Sequence, residues 1–137
     1  LTQELIPEIK KLYRIDSEDI GTLGSSAGGL ISLYLGWELN NVFTKAACLS
    51  PGIIKGNDNY FQQLIKVNQP KKLQLAIVNG TSGLDLELQF GVDKLIAYLN
   101  EINFPKKNLL YWVDEKGSHS PRSWSHQAKD ILLWMYK

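Results

Sequence analysis

A chain of 137 residues, 44% hydrophobic and 21% charged, is long enough to bury a core and too apolar to remain disordered. Its formal net charge is +1 and its lysines are scattered, so it lacks the basic footprint of a nucleic-acid or anionic-membrane binder, and neither is expected as a partner. No segment reaches the ~18 uninterrupted apolar residues that span a bilayer, and the single cysteine, Cys48, cannot close an internal disulfide, which leaves the compartment open between cytoplasmic and secreted.

The chain opens without Met on LTQELIPEIKKLY, an amphipathic helical pattern with Leu5, Ile6, Ile9, Leu12 and Tyr13 on one face. A helix running from the first residues is the pattern expected of a start inside a larger domain. A strand at residues 19–23 leads into a helix at 27–39, for which the periodicity predicts a buried stripe of Leu30, Ile31, Tyr34, Leu35 and Trp37. FTKAACLS, residues 43–50, is a second strand, and Cys48 among Ala46, Ala47 and Leu49 reads as a small buried hydrophobe. A Gly- and Asn-rich connection, SPGIIKGNDNYF, precedes a weak helix at 61–67.

LQLAIVNG, residues 73–80, is apolar nearly throughout, as a parallel strand covered on both faces should be. Leu88, Val92, Leu95, Ile96 and Leu99 mark the next helix, and NLLYWVDE, residues 108–115, a fourth strand. Ala128, Ile131, Leu132 and Met135 mark a closing helix that Ser120 caps, with Pro121 in its first turn. The pairs Lys71-Lys72 and Lys106-Lys107, each just ahead of a strand, read as solvated ends. No repeat, linker or low-complexity tract interrupts the pattern.

Strands alternating with helices predict an α/β fold in which residues 1–137 form one domain, a parallel sheet with helices on both faces. Sites in such sheets form at the carboxyl ends of the strands, so a candidate site residue should fall just after one. Residues 24–28, GSSAG, do so. They satisfy G-x-S-x-G with the strand before and the helix after that a nucleophile elbow requires. A serine on that strained turn needs small neighbours at Gly24 and Gly28, with Gly29 extending the tolerance. Ser26 is the candidate nucleophile, while Ser25 is expected to pack or hydrogen-bond locally. The amide of Ala27, aimed outward by the helix start, is the candidate oxyanion donor.

A serine hydroxyl needs a base. Of the two histidines, His119 lies in the loop between the fourth strand and the closing helix, and His126 falls inside that helix and reads as a surface or half-buried helical residue. The third member should be a carboxylate that orients the imidazole. NGTSGLDLE offers Asp85 first and Glu87 second, with Asp114 or a serine–histidine dyad as further alternatives, and Asp85 would also serve as a cap for the helix that follows. The two histidines make no metal-ligand pattern and no phosphate-binding glycine motif is present, so neither a metal nor another cofactor is expected. Tyr111, Trp112, Trp124 and Trp134 could stack on a sugar, but core packing is the stronger reading, with Trp112 and Trp134 on core-type patterns. Trp124, five residues after His119, is the aromatic best placed to line a site.

Taken in order, ELIPEIKKLYRID, GSSAGG, SPG, NGT and GSH followed by Trp124 resemble the esterase family that includes esterase D and the enterochelin and feruloyl esterases. The resemblance runs across nearly the whole chain. It implies the C-terminal portion of an α/β-hydrolase fold, with Ser26 as nucleophile and His119 as base. It also implies further strands ahead of residue 1, including the loop that gives the second oxyanion N–H. One position departs from the family: Gly83 stands where an acidic residue often follows the Gly-Thr pair, so an acid at Asp85 would have to serve from a longer loop.

The function expected is a serine carboxylic-ester hydrolase working through an acyl-enzyme on a small-molecule or glycan-linked ester. The alternatives are an acyltransferase with the same triad and a non-catalytic or truncated hydrolase-like binding module. An apolar sheet edge left open by missing strands predicts self-association, as a homo-oligomer or through that edge.

Overall fold

The computed structural model describes residues 1–56, 58–67 and 72–137. Its elements are α1 (Leu5–Leu12), β1 (Ile20–Ser25), α2 (Ala27–Glu38), β2 (Phe43–Leu49), α3 (Asp58–Val67), β3 (Gln74–Ser82), α4 (Leu84–Glu101), β4 (Leu109–Ser118) and α5 (Pro121–Met135), with a short 3-10 turn, Lys106–Asn108, ahead of β4. The strands form one four-stranded sheet in the order β1-β2-β3-β4, and every neighbouring pair is parallel. A parallel sheet in sequential order brings the carboxyl ends of all its strands to one rim, where the loops after β1, β2, β3 and β4 meet.

The continuous apolar runs of β2 and β3 follow from what covers them. Ala46, Cys48, Leu75 and Ile77 face a cluster with Leu33 and Trp37 of α2, Phe61, Leu64 and Ile65 of α3, and Val92, Leu95 and Leu99 of α4. Their neighbours in the alternation, Ala47, Leu49, Ala76 and Val78, face Ile131 and Met135 of α5, with Trp112, Trp124 and Trp134 packed alongside. Both faces of the two central strands are therefore dry, as the absence of polar alternation in the sequence requires. Each Leu or Ile so buried contributes about 1.5–3 kcal/mol of hydrophobic free energy. Cys48 is fully buried, and that burial pushes its thiol pKa up to about 12.

Two predicted stripes need correction. Of the five residues expected to be buried on α2, Ile31 and Tyr34 are exposed and Leu30 and Leu35 only half-buried, and the helix instead buries Gly29, Ser32, Leu33, Gly36 and Trp37. The reason is distance: α2 lies so close to the sheet that a Cβ on Gly36 would come 2.7 Å from Ala46 Cβ, and Ser32 Oγ sits 3.2 Å from Thr22 Oγ1. Small residues mark the packed face, so a search for large apolar ones turns the helix the wrong way. On α5, Leu132 is exposed, and the buried residues are Gln127, Ile131 and Met135. Its cap agrees with the sequence, since Ser120 Oγ accepts from Ser123 N at 3.4 Å and Pro121 opens the helix.

On α1, Leu5 and Leu12 are exposed, as is Tyr13 just after it, while Ile6 and Ile9 border a cavity of about 320 Å³ shared with Ile20 of β1 and Tyr136. Lys72, Lys106 and Lys107 are exposed, as solvated ends should be, and Lys71 lies outside the described residues. Among the described residues no helix is long and apolar enough to cross a membrane.

Candidate active site

β1 ends at Ser25 and α2 begins at Ala27, so the chain reverses from strand to helix on the single residue Ser26. Its backbone holds φ 54° and ψ −121°, a conformation that costs a non-glycine residue about 1–3 kcal/mol. The surroundings enforce it. Ser26 N donates to Leu49 O at 2.9 Å, and Ser26 O accepts from Gly29 N at 3.0 Å and Gly52 N at 3.1 Å. A Cβ on Gly24 would collide with the backbone of Gly28, which is why the next-to-last residue of β1 must be a glycine. At Gly28 itself a Cβ would meet nothing within 4 Å, so the expectation that both flanking positions exclude bulk is corrected to Gly24, with Gly29 tight against Pro51 Cα at 3.2 Å. The Ala27 amide, at the first position of α2, has no acceptor within the helix and lies at the positive end of its dipole.

The loops after the other strands converge on this turn. His119 follows β4 directly, and its Nε2 lies 3.0 Å from Ser26 Oγ across 93 positions of sequence. Its Nδ1 lies 2.7 Å from Oδ1 of Asp85, at the second position of α4. Asp85 is fully buried, and its other oxygen, Oδ2, accepts from the Gly80 amide at 2.9 Å and the Ser50 hydroxyl at 3.0 Å. Donors on both oxygens suit a carboxylate, which can only accept. The His119 proton then belongs on Nδ1, leaving Nε2 to accept from the Ser26 hydroxyl. The ring is held from the side by Trp124, edge-on with centroids 5.0 Å apart at an interplanar angle of 84°.

The structure thus brings Ser26, His119 and Asp85 into one hydrogen-bonded line with Ala27 beside it, and leaves the other candidates away from the imidazole. Glu87 points to solvent from the first turn of α4. Asp114 accepts from Lys116 N at 3.0 Å and Gln127 Nε2 at 2.9 Å, which ties it to its own strand and α5. His126 is exposed on α5 and borders, with Asp114 and Arg122, a cavity of about 580 Å³. Sequence reasoning missed Ser50 and the Gly80 amide. Ser50 immediately follows β2, so the rule that singled out Ser26 and His119 applied to it equally. Among the described residues no group of three or more His, Cys, Asp or Glu side chains could hold a metal ion.

The family model described as "Putative esterase" matches residues 1–135. No curated protein matches the chain in sequence. Similar solved structures include the enterobactin esterase FES from Shigella flexneri in the presence of enterobactin, at 19% identity and a TM-score of 0.82, covering 98% of this chain and 35% of that one. S-formylglutathione hydrolase (FrmB) from Staphylococcus aureus aligns at 19% identity and a TM-score of 0.77, over 99% of this chain and 59% of its own. The fluorophosphonate-binding serine hydrolase FphF from Staphylococcus aureus aligns at 17% identity and a TM-score of 0.74, over 99% and 62%. At these identities the likeness shows the fold, which is that of the α/β-hydrolases, and the chain spans about a third of the length of the enterobactin esterase.

Proposed function

The chain belongs to the esterase family whose model matches residues 1–135, and from that membership we propose that it hydrolyses carboxylic esters through an acyl-enzyme on Ser26. The observation that carries this reading is the 3.0 Å separation of His119 Nε2 from Ser26 Oγ, within reach of direct proton transfer.

As Ser26 Oγ attacks the ester carbonyl, His119 Nε2 takes the hydroxyl proton. Asp85 holds the Nδ1–H and stabilises the imidazolium that forms. The oxyanion of the tetrahedral intermediate develops beside the Ala27 N–H at the start of α2, where a fixed donor acts without reorganising. Collapse expels the alcohol, which receives the proton from His119. Water then enters, loses a proton to His119 and attacks the acyl-enzyme, releasing the acid and restoring the serine.

Ala27 supplies one oxyanion donor. Where such a site works with one donor in place of two, turnover falls by about 10²–10³. The substrate class proposed is a small-molecule ester, in keeping with the name of the similar enterobactin esterase.

Treatment with a fluorophosphonate, followed by peptide mapping, tests the assignment. The expected result is one phosphonyl adduct on the Ser26 peptide, absent from Ser26→Ala and strongly slowed in His119→Ala. An adduct that survives Ser26→Ala removes Ser26 as nucleophile.

A further inference from the structure

The carboxylate facing His119 is itself gripped by a chain of donors that the mechanism above does not use. Trp124 Nε1–H donates to Ser50 Oγ at 2.9 Å, and the Ser50 hydroxyl donates in turn to Asp85 Oδ2 at 3.0 Å. We propose that Ser50 and Trp124 are positioning residues that lock Asp85 in the orientation facing the imidazole. The proposal rests on the reading of Ser26, His119 and Asp85 as the catalytic line.

The terminal torsion of an aspartate is broad and roughly two-fold, so packing alone leaves the carboxylate free to turn. Here two donors from neighbouring strand ends converge on one oxygen. Gly80 N comes from β3 and Ser50 Oγ from the residue after β2, and together they leave Oδ1 for the ring. A serine hydroxyl is a rotor with two lone pairs, able to donate in several directions. The indole N–H occupies a lone pair of Ser50 Oγ and so steers its proton toward Asp85. The same indole lies edge-on against the His119 ring, so Trp124 contacts the imidazole and, through Ser50, orients its partner.

The backbone points the same way. Ser50 is fully buried with φ 42°, in the left-handed region where glycine is at ease and serine is strained. Its amide is pinned to Val78 O at 2.7 Å, which anchors it to β3. Glycine would satisfy that backbone at lower cost, but glycine has no hydroxyl to offer Asp85.

The test compares the rate of Ser26 phosphonylation by a fluorophosphonate in the unmodified chain and in Ser50→Ala, Ser50→Gly, Trp124→Phe and Ser50→Gly/Trp124→Phe. Both Ser50 variants should slow labelling by about tenfold, the scale of one lost hydrogen bond to a charged group. Because Ser50→Gly relieves the backbone and Ser50→Ala does not, an equal loss in both assigns the effect to the hydroxyl. Trp124→Phe keeps an aromatic ring against His119 and should slow labelling by about threefold. The double variant should be no slower than Ser50→Gly, because the indole acts through the hydroxyl. The downfield proton resonance of His119 Nδ1–H, assigned by its loss in His119→Ala, should shift in every variant.

Rates within about twofold of the unmodified chain together with an unmoved resonance overturn the proposal, as does a double variant whose losses simply multiply. If the unmodified chain takes no label at Ser26, the nucleophile assignment is what fails. The resonance needs no chemistry, and it then decides the positioning role by itself.

Discussion

Replacing Asp85 by Asn keeps the shape of the side chain and removes its charge, and this substitution is predicted to lower ester turnover by about 10⁴-fold. An amide can offer its N–H to His119 Nδ1 and so favours the tautomer in which Nε2 carries the proton and cannot accept from Ser26. Steady-state kinetics on a p-nitrophenyl ester, with circular dichroism to show retained fold, measures it, and a loss below about tenfold would remove Asp85 from the line. Cys48 gives a second prediction at this scale. Its burial lifts the thiol to about 12 from an unfolded value of 9.0, so the folded chain holds that proton more tightly than the unfolded one. Its contribution to stability is therefore complete below pH 9.0 and is lost as pH rises toward 12. Urea midpoints measured across that alkaline range should fall in the native chain and fall less steeply in Cys48→Ala.

Among the elements, the turn from β1 into α2 separates two glycines that the motif treats alike. Gly24→Ala forces a methyl into the Gly28 backbone and is predicted to cost more than about 3 kcal/mol or to prevent folding. Gly28→Ala meets open space inside a helix and is predicted to stabilise by about 0.5–1 kcal/mol. Thermal or denaturant unfolding of the pair tests both. The contrast shows what kind of information sequence carries. Element order and type were legible because the two periodicities and the turn residues are local, and the run LQLAIVNG announced a doubly covered strand. The packed face of α2 was hidden, because it depends on how closely Gly36 and Ser32 let the helix approach Ala46 and Thr22. Ser26 and His119 could be singled out because each sits beside its own local signal, a glycine-flanked turn and a strand-end loop. Asp85 could be placed first by chain order but Glu87 and Asp114 stayed open, because all three are acids near a predicted strand end and only the packed loop after β3 distinguishes them. Ser50 stood at a strand end like Ser26 and His119, but nothing local tied it or the Gly80 amide to Asp85, because those contacts exist only once β2 lies against β3.

For the molecule as a whole, β1 is an edge of the sheet and α1 buries no residue fully, leaving Leu5, Leu12, Tyr13 and Leu23 exposed. An open parallel edge beside apolar side chains favours association. Size-exclusion chromatography with light scattering is expected to show a species larger than 15.5 kDa that grows with concentration, and a monomer at every concentration would contradict this. Ester hydrolysis as proposed requires the Ser26 hydroxyl proton to pass to His119, 3.0 Å away. The most direct measurement of it is the first turnover of a p-nitrophenyl ester by the full chain, followed by optical burst and intact-mass spectrometry. A burst of p-nitrophenol approaching one equivalent per chain is expected, with an acyl mass mapped to the Ser26 peptide, both lost in Ser26→Ala. Release of p-nitrophenol with the acyl group on another residue, or with no acyl intermediate and no effect of Ser26→Ala, would contradict it.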